Sequence, residues 1–212
     1  MLPNQYALAI HTSSPDLGLA LSNFDQVSRC QTWELGQELS THLQLYMAEF
    51  LQPQAWSDLA FMAVAKGPGG FTGTRIGVVA ARTLAQQLDI PLYAVSTLAA
   101  IAHRTYQQHF PNGNAPHLAV EMPAQREQLH VGIYAMQDGR LQPQLDDTVM
   151  HPIQWQATLV DWHQPVCLTK AERNLGSTAM DMLQLAYAEW QHQHYPTWAE
   201  AIPHYGQHPV EN

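Results

Sequence analysis

The chain has 212 residues, 46% of them hydrophobic, and a formal net charge of −9, with nine Lys and Arg against eighteen Asp and Glu. Binding to a phosphate backbone runs on counterion release by Lys and Arg, and the only lysines are Lys66 and Lys170, so strong nucleic-acid binding by this chain alone is excluded. No apolar run reaches the ~18 residues of a membrane span, no basic and apolar leader is visible, and Cys30 and Cys167 form no CxxC; the expectation is a folded protein of the reducing cytoplasm, with no membrane partner.

Taken in order, residues 5–11 read as a buried strand, 12–16 as a turn, 17–21 as a second strand and 27–35 as a third, after a turn at 23–26. A helix is predicted over 37–51, with Leu39, Leu43, Tyr46, Met47 and Phe50 on one face. A strand over 59–65 then runs into a glycine cluster, followed by a helix over 74–88 and a short strand over 91–95. Ser96 or Thr97 can cap a third helix that ends near His109.

The stretch 110–116 (Phe-Pro-Asn-Gly-Asn-Ala-Pro) is the clearest linker and sets the expected boundary between an N-terminal lobe, 1–110, and a C-terminal lobe, 111–212. Beyond it, strands are predicted over 117–121, 129–136, 140–149 and 166–169. Asp138-Gly139 is a hairpin signal between the second and third of these. A helix over 177–190 follows, and the His- and Pro-rich remainder is left unassigned. No internal repeat is evident in the residues. The order implies an α/β architecture with mixed sheets, antiparallel strands first and parallel strands after.

Residues 67–77, Gly-Pro-Gly-Gly-Phe-Thr-Gly-Thr-Arg-Ile-Gly, hold five of the twelve glycines. Such a cluster needs a backbone reason, either positive φ angles or a very close approach to something. A strand, a glycine turn and a helix N-terminus make a candidate anion site. The spacing fits neither a P-loop, because Arg75 stands after Thr74 with no lysine, nor a dinucleotide fingerprint, because Thr72 stands where the third glycine belongs. In the helix behind it Gly77, Ala81 and Ala85 form a small-residue face, beside a bulkier set of Ile76, Val79 and Leu84. Packing on a sheet and close approach of a partner both explain it. Arg75 reads first as a lock on the turn through a salt bridge or carbonyl contact, and second as a contact for a partner or a phosphate.

Other chemistry is thin. His204 and His208 are the only His-x3-His pair, but Gly206 and Pro209 suit a loop better than a metal-binding helix, so no metal is expected. Glu121, Glu127, Asp146 and Asp147 read as solvated carboxylates. Ser13 and Ser96 read as turn and cap residues without a base partner.

Three stretches together resemble one family: residues 8–14 (Leu-Ala-Ile-His-Thr-Ser-Ser), the glycine motif 67–77, and residues 91–98 (Pro-Leu-Tyr-Ala-Val-Ser-Thr-Leu). They are similar to TsaB (YeaZ), and the likeness covers roughly residues 6–103. The resemblance implies an actin-like, ASKHA-type fold of two related lobes, each a mixed sheet flanked by helices. It implies a non-catalytic scaffold that binds and activates a TsaD-like catalytic paralogue for threonylcarbamoyl modification of tRNA adenosine. A TsaE-like ATPase would join them, tRNA would be met only through the complex, and the chain could pair with itself as a homodimer.

Carried onto this sequence, the resemblance makes the first two helices of the N-terminal lobe the partner surface. Leu39, His42, Leu43, Tyr46, Arg75, Gly77, Val78, Ala81 and Ala85 become partner-binding candidates, and the small-residue face then reads as an interface. Thr12, Ser13, Gly67, Gly69, Gly70, Thr72 and Gly73 become candidate contacts for a nucleotide, ATP or ADP at the partner interface, with no cofactor required by the chain itself. The departures are instructive. His11 stands where many members have Asp, and a neutral imidazole is a poor ligand for Mg²⁺. The second-lobe pattern is reduced to residues 124–131 (Ala-Gln-Arg-Glu-Gln-Leu-His-Val), and 203–207 lacks the usual arginine. Two other readings are carried: a stand-alone ASKHA-fold ATPase or phosphotransferase, and a glycoprotease-like peptidase, against which the missing metal pair counts.

Overall fold

A computed structural model describes residues 4–204. His208, and with it the pair His204/His208 and most of the stretch 203–207, lies outside the described residues.

The first sheet is built from β1 (Tyr6–His11), β2 (Asp16–Ser22), β3 (Ser28–Glu34), β4 (Leu59–Gly67) and β5 (Leu92–Ser96), in the order β3-β2-β1-β4-β5. The first three strands form an antiparallel meander, whereas β4 runs parallel to β1 and β5 parallel to β4. The second sheet holds β6 (His117–Pro123), β7 (Leu129–Gln137), β8 (Arg140–Met150) and β9 (Val166–Lys170), in the order β8-β7-β6-β9. It too is an antiparallel meander with a parallel strand added beside its first member. The second sheet thus repeats the arrangement of β3-β2-β1-β4, without a counterpart of β5, a likeness that no repeat in the residues announces. This is the expected α/β, actin-like ASKHA-type arrangement. As expected, Asp138-Gly139 makes the β7–β8 turn, with φ of 50° and 75° and Gln137 paired to Arg140.

Alternation along the central strands sorts the core of the first lobe. Leu8 and Ile10 of β1, with Met62 and Val64 of β4, face α1 (Leu39–Leu51) and α2 (Phe71–Leu88). Ala7 and Ala9, with Phe61, Ala63 and Ala65, face the other way onto α5 (Ala179–Gln191). The alanines leave room for α5 to lie close, through Ala179, Met182, Leu183 and Ala186. All strands of the first sheet precede residue 110 and all of the second follow it, but the chain returns to the first sheet at its far end. The return includes α5 and the 3-10 turn Trp198–Glu200.

α3 (Thr97–His109) joins the lobes. Ser96 caps it by accepting from Ala99 N at 3.1 Å, and its Leu98, Ile101 and Ala102 pack on the second sheet. Its Arg104 holds Asp181 of α5 through Nε at 3.0 Å and Nη2 at 2.9 Å, and His103 Nδ1 meets the same carboxylate at 3.0 Å. The remaining helix, α4 (Pro152–Val160), has no counterpart in the sequence reading. Only Trp155 buries its side chain, so there is almost no periodicity to find; Pro152 at the first helical position was the available signal.

Candidate functional site

The glycine motif begins as the end of β4 and continues into α2, which starts at Phe71 rather than at the predicted residue 74. Gly73 and Gly77 are therefore inside a helix, where each costs about 1 kcal/mol relative to alanine. The reason is the turn after β1. A Cβ on Gly73 would run into the Thr12 carbonyl, one on Gly77 into the Thr12 hydroxyl, and one on Gly69 into the Ser13 carbonyl. What comes close to these glycines is the chain itself. The contact is sealed by hydrogen bonds: Thr12 Oγ1 donates to Gly73 O at 2.8 Å and Gly70 N donates to Ser13 O at 2.8 Å. Thr74 Oγ1 stands 3.1 Å from Ser13 Oγ and 2.8 Å from Gly70 O.

Of the candidate nucleotide contacts, Thr12, Ser13, Gly70, Thr72 and Gly73 line one groove of about 570 Å³, and no charged residue among the described ones lines it. Gly69 faces the adjoining cleft between the lobes, of about 490 Å³. Gly67, with φ of 96°, is buried under the His204 carbonyl and faces neither space. The Thr12 hydroxyl and the Gly70 N–H are already engaged within the chain.

His11 ends β1 beneath this turn, fully buried, and neither ring nitrogen has a hydrogen-bond partner among the described residues. Burial lowers its pKa to about 4, opposed by the Asp16 carboxylate and reinforced by Arg104, so it is a neutral imidazole at pH 7. Asp16, also buried, accepts from Ser14 Oγ and from Gly176 N at 2.8 Å, which ties β2 to the segment ahead of α5. Among the described residues no three His, Cys, Asp or Glu side chains are grouped to hold a metal ion.

The partner candidates divide by burial. Gly77, Val78, Ala81 and Ala85 are turned into the core against the sheet, Ala81 and Ala85 with no exposed surface. Leu39 and Leu43 are buried as well. The small-residue face is therefore a sheet contact and not a docking surface, which corrects the interface reading: what needs the room at Gly77 is the Thr12 side chain. Exposed on α2 instead are Arg75, Val79 and Thr83, with Val79 61% accessible. Between α1 and α2 runs a groove of about 600 Å³, whose walls include Met47, Trp56, Ile76, Val79 and Leu84, with Leu43 at its floor and Arg75 at its rim. His42 and Tyr46 lie on the opposite flank of α1, where Tyr46 packs on Trp33 of β3 at 4.9 Å between ring centroids. Among the described residues Arg75 makes neither the expected salt bridge nor a carbonyl contact; its guanidinium stands over the Phe71 ring at 5.2 Å.

Sequence reasoning missed Val79 and Trp56 as groove residues. Val79 was visible only as part of a second apolar set on α2, and Trp56 carries no periodic signal. It also missed Arg29 of β3, whose Nη2 lies at 2.8, 2.9 and 3.0 Å from the carbonyls of Phe50, Leu51 and Gln52 and 2.7 Å from Gln54 Oε1. This cation closes the C-terminal end of α1, which has no basic residue in its own last turn.

Comparison with known proteins bears on the same region. The family model for TsaD, tRNA N6-adenosine threonylcarbamoyltransferase, matches residues 38–183. The tRNA threonylcarbamoyladenosine biosynthesis protein TsaB of Bacillus subtilis (strain 168) is 35% identical over 161 residues, 75% of this chain and 68% of that protein. Its namesake from Escherichia coli (strain K12) is 31% identical over 105 residues, 48% of this chain and 45% of that one. In three dimensions, YeaZ from Pseudomonas aeruginosa superposes with a TM-score of 0.77 over 95% of this chain and 99% of its own, at 24% identity. A Pseudomonas aeruginosa protein described as similar to peptidase YeaZ superposes with a TM-score of 0.79 over 96% and 100%, at 23% identity. The matched stretch spans more than half of the chain and includes the glycine motif and both helices that flank the groove, and the chain belongs to the TsaB (YeaZ) family.

Proposed function

We propose that this protein serves tRNA threonylcarbamoyladenosine biosynthesis as a non-catalytic subunit that docks a TsaD-like catalytic paralogue along α1 and α2. The observation that carries the reading is the apolar groove between these helices, with Val79 standing 61% exposed at its edge. An apolar face of this kind on a folded chain marks a protein–protein site. Arg75 at the rim offers a cation for a carboxylate of the partner. The neutral, buried His11 in place of an acidic residue supports a role without chemistry of its own.

In this reading a TsaE-like ATPase joins the pair, in the cytoplasm. tRNA is met only through the complex, because a chain of net charge −9 has no basic stripe to hold it. A second copy of the chain competes for the groove when the catalytic partner is absent. The protein needs no cofactor by itself; ATP or ADP would sit where the groove at Thr12, Gly70 and Thr72 meets the partner.

Co-purification with the TsaD-like protein of the same host tests the reading, together with threonylcarbamoyladenosine levels in a deletion strain. Failure to pair, or unchanged levels, overturns it. Steady-state ATP turnover by the isolated chain would overturn its non-catalytic part.

A further inference from the structure

We propose that a second cavity, between the lobes at the β5 edge of the first sheet beside α5, binds a small organic anion, a carboxylate or phosphate on an apolar body. The cavity measures about 810 Å³, within the range of small-molecule sites. It shares no lining residue with the α1–α2 groove, so it stands independently of partner docking. Leu92 and Val95 of β5 and Tyr106 of α3 form one wall, and Met136 and Leu141 of the β7–β8 hairpin face them. These supply the apolar bed.

Against that bed stand two under-used cations. Lys66, half-buried at the end of β4, has no carboxylate within ion-pair distance among the described residues, whereas Lys170 is paired to Glu121 at 3.0 Å. An anion in the cavity gives this ammonium the counter-charge that it lacks among the described residues. Arg140 is held loosely: its Nη1 is 3.6 Å from Glu189, a carboxylate that also receives His194 Nδ1 at 3.1 Å, and its Nε is covered and has no acceptor among the described residues. Arg104 shows what the same edge of a guanidinium does when satisfied, gripping Asp181 Oδ2 with Nε and Nη2. A turn of the Arg140 side chain brings its free edge onto a bound anion. The other acid in the lining, Glu200, is engaged by Thr197 N at 2.8 Å and Thr197 Oγ1 at 2.9 Å.

His103, also in the lining, is held on both sides of its ring: Nδ1 lies 3.0 Å from Asp181 Oδ1 and Nε2 3.4 Å from Gln107 Nε2.

The test titrates the full chain with phenylacetate, phenyl phosphate and neutral phenylacetamide, followed by amide chemical shifts. Saturable binding of at least one anion is expected, with shifts at Lys66, Gln107 and Leu141. The carboxylate and phosphate arms decide which head group is preferred. Binding should weaken tenfold or more for phenylacetamide, and equally for Lys66→Met and Arg140→Met. If either variant fails to fold by circular dichroism, Leu141→Trp, which fills the cavity, replaces it with the same expectation. Equal binding of the neutral amide, unchanged affinity in a folded Lys66→Met, or no saturable binding of either anion overturns the proposal. None of these results bears on pairing with a TsaD-like protein, which Lys66→Met should leave intact.

Discussion

Gly77 of α2 lies so close to Thr12, at the end of β1, that a Cβ on it would collide with the Thr12 hydroxyl. Propensity and packing therefore pull in opposite directions at one residue. Gly77→Ala gains about 1 kcal/mol of intrinsic helix stability but forces Thr12 away from Gly73 O, an overpacking cost of about 1–3 kcal/mol. A lowered urea midpoint is expected for Gly77→Ala, and the Thr12→Ala/Gly77→Ala double variant should recover part of the loss. A raised midpoint in the single variant would show that the close approach does not constrain the helix.

The two faces of α2 separate folding from docking. Ala81→Trp should lower the thermal midpoint steeply, because Ala81 is fully buried against the sheet and has no space for an indole. Val79→Asp, on the exposed face, should leave the midpoint nearly unchanged while abolishing co-purification with the TsaD-like protein. Retained pairing in Val79→Asp would move the docking surface away from the α1–α2 groove.

Arg29 should matter more than an exposed-strand arginine ordinarily does. Its Nη2 serves the carbonyls that end α1, and hydrogen bonds to a charged group contribute about 1.5–3 kcal/mol. Arg29→Met is expected to cost that much in a urea titration and to fray the last turn of α1 in hydrogen exchange. Unchanged exchange at Phe50 and Leu51 would refute the capping role.

Acid should destabilise the protein through its buried histidines. The pKa values of His11 and His130 are both lowered by burial to about 4 from 6.5, His130 also by the nearby His204. Between those values the unfolded chain binds protons that the folded chain does not, so stability is complete above pH 6.5 and falls as the pH drops toward 4. For the fully buried His11 the whole loss is about 3 kcal/mol. Urea midpoints from pH 7 to pH 5 should decline, and His11→Leu should make the decline shallower by up to one proton. An identical slope in His11→Leu would mean that this imidazole is protonated in the folded state.

Much of the architecture was legible in the residues. β1 and β4 are near-continuous apolar runs because both their faces are covered, Asp138-Gly139 announced its hairpin, Ser96 its cap, and the motif 67–77 its family. α4 was not legible, since a helix that buries one side chain has no periodicity to read. The pairing of β9 beside β6 and the return of α5 to the first sheet join residues far apart in the chain, and no local pattern encodes such contacts.

The sequence by itself determined that a glycine-rich turn leads into a helix with one small and one bulky apolar face, and which family that turn belongs to. It could not decide which face turns inward, because both are apolar and either satisfies helical periodicity. Only the tertiary structure decided it. Thr12 comes close enough to exclude a Cβ at Gly77, and Ala81 is wholly buried against the sheet, so the small face packs inward and Val79 is left at the surface.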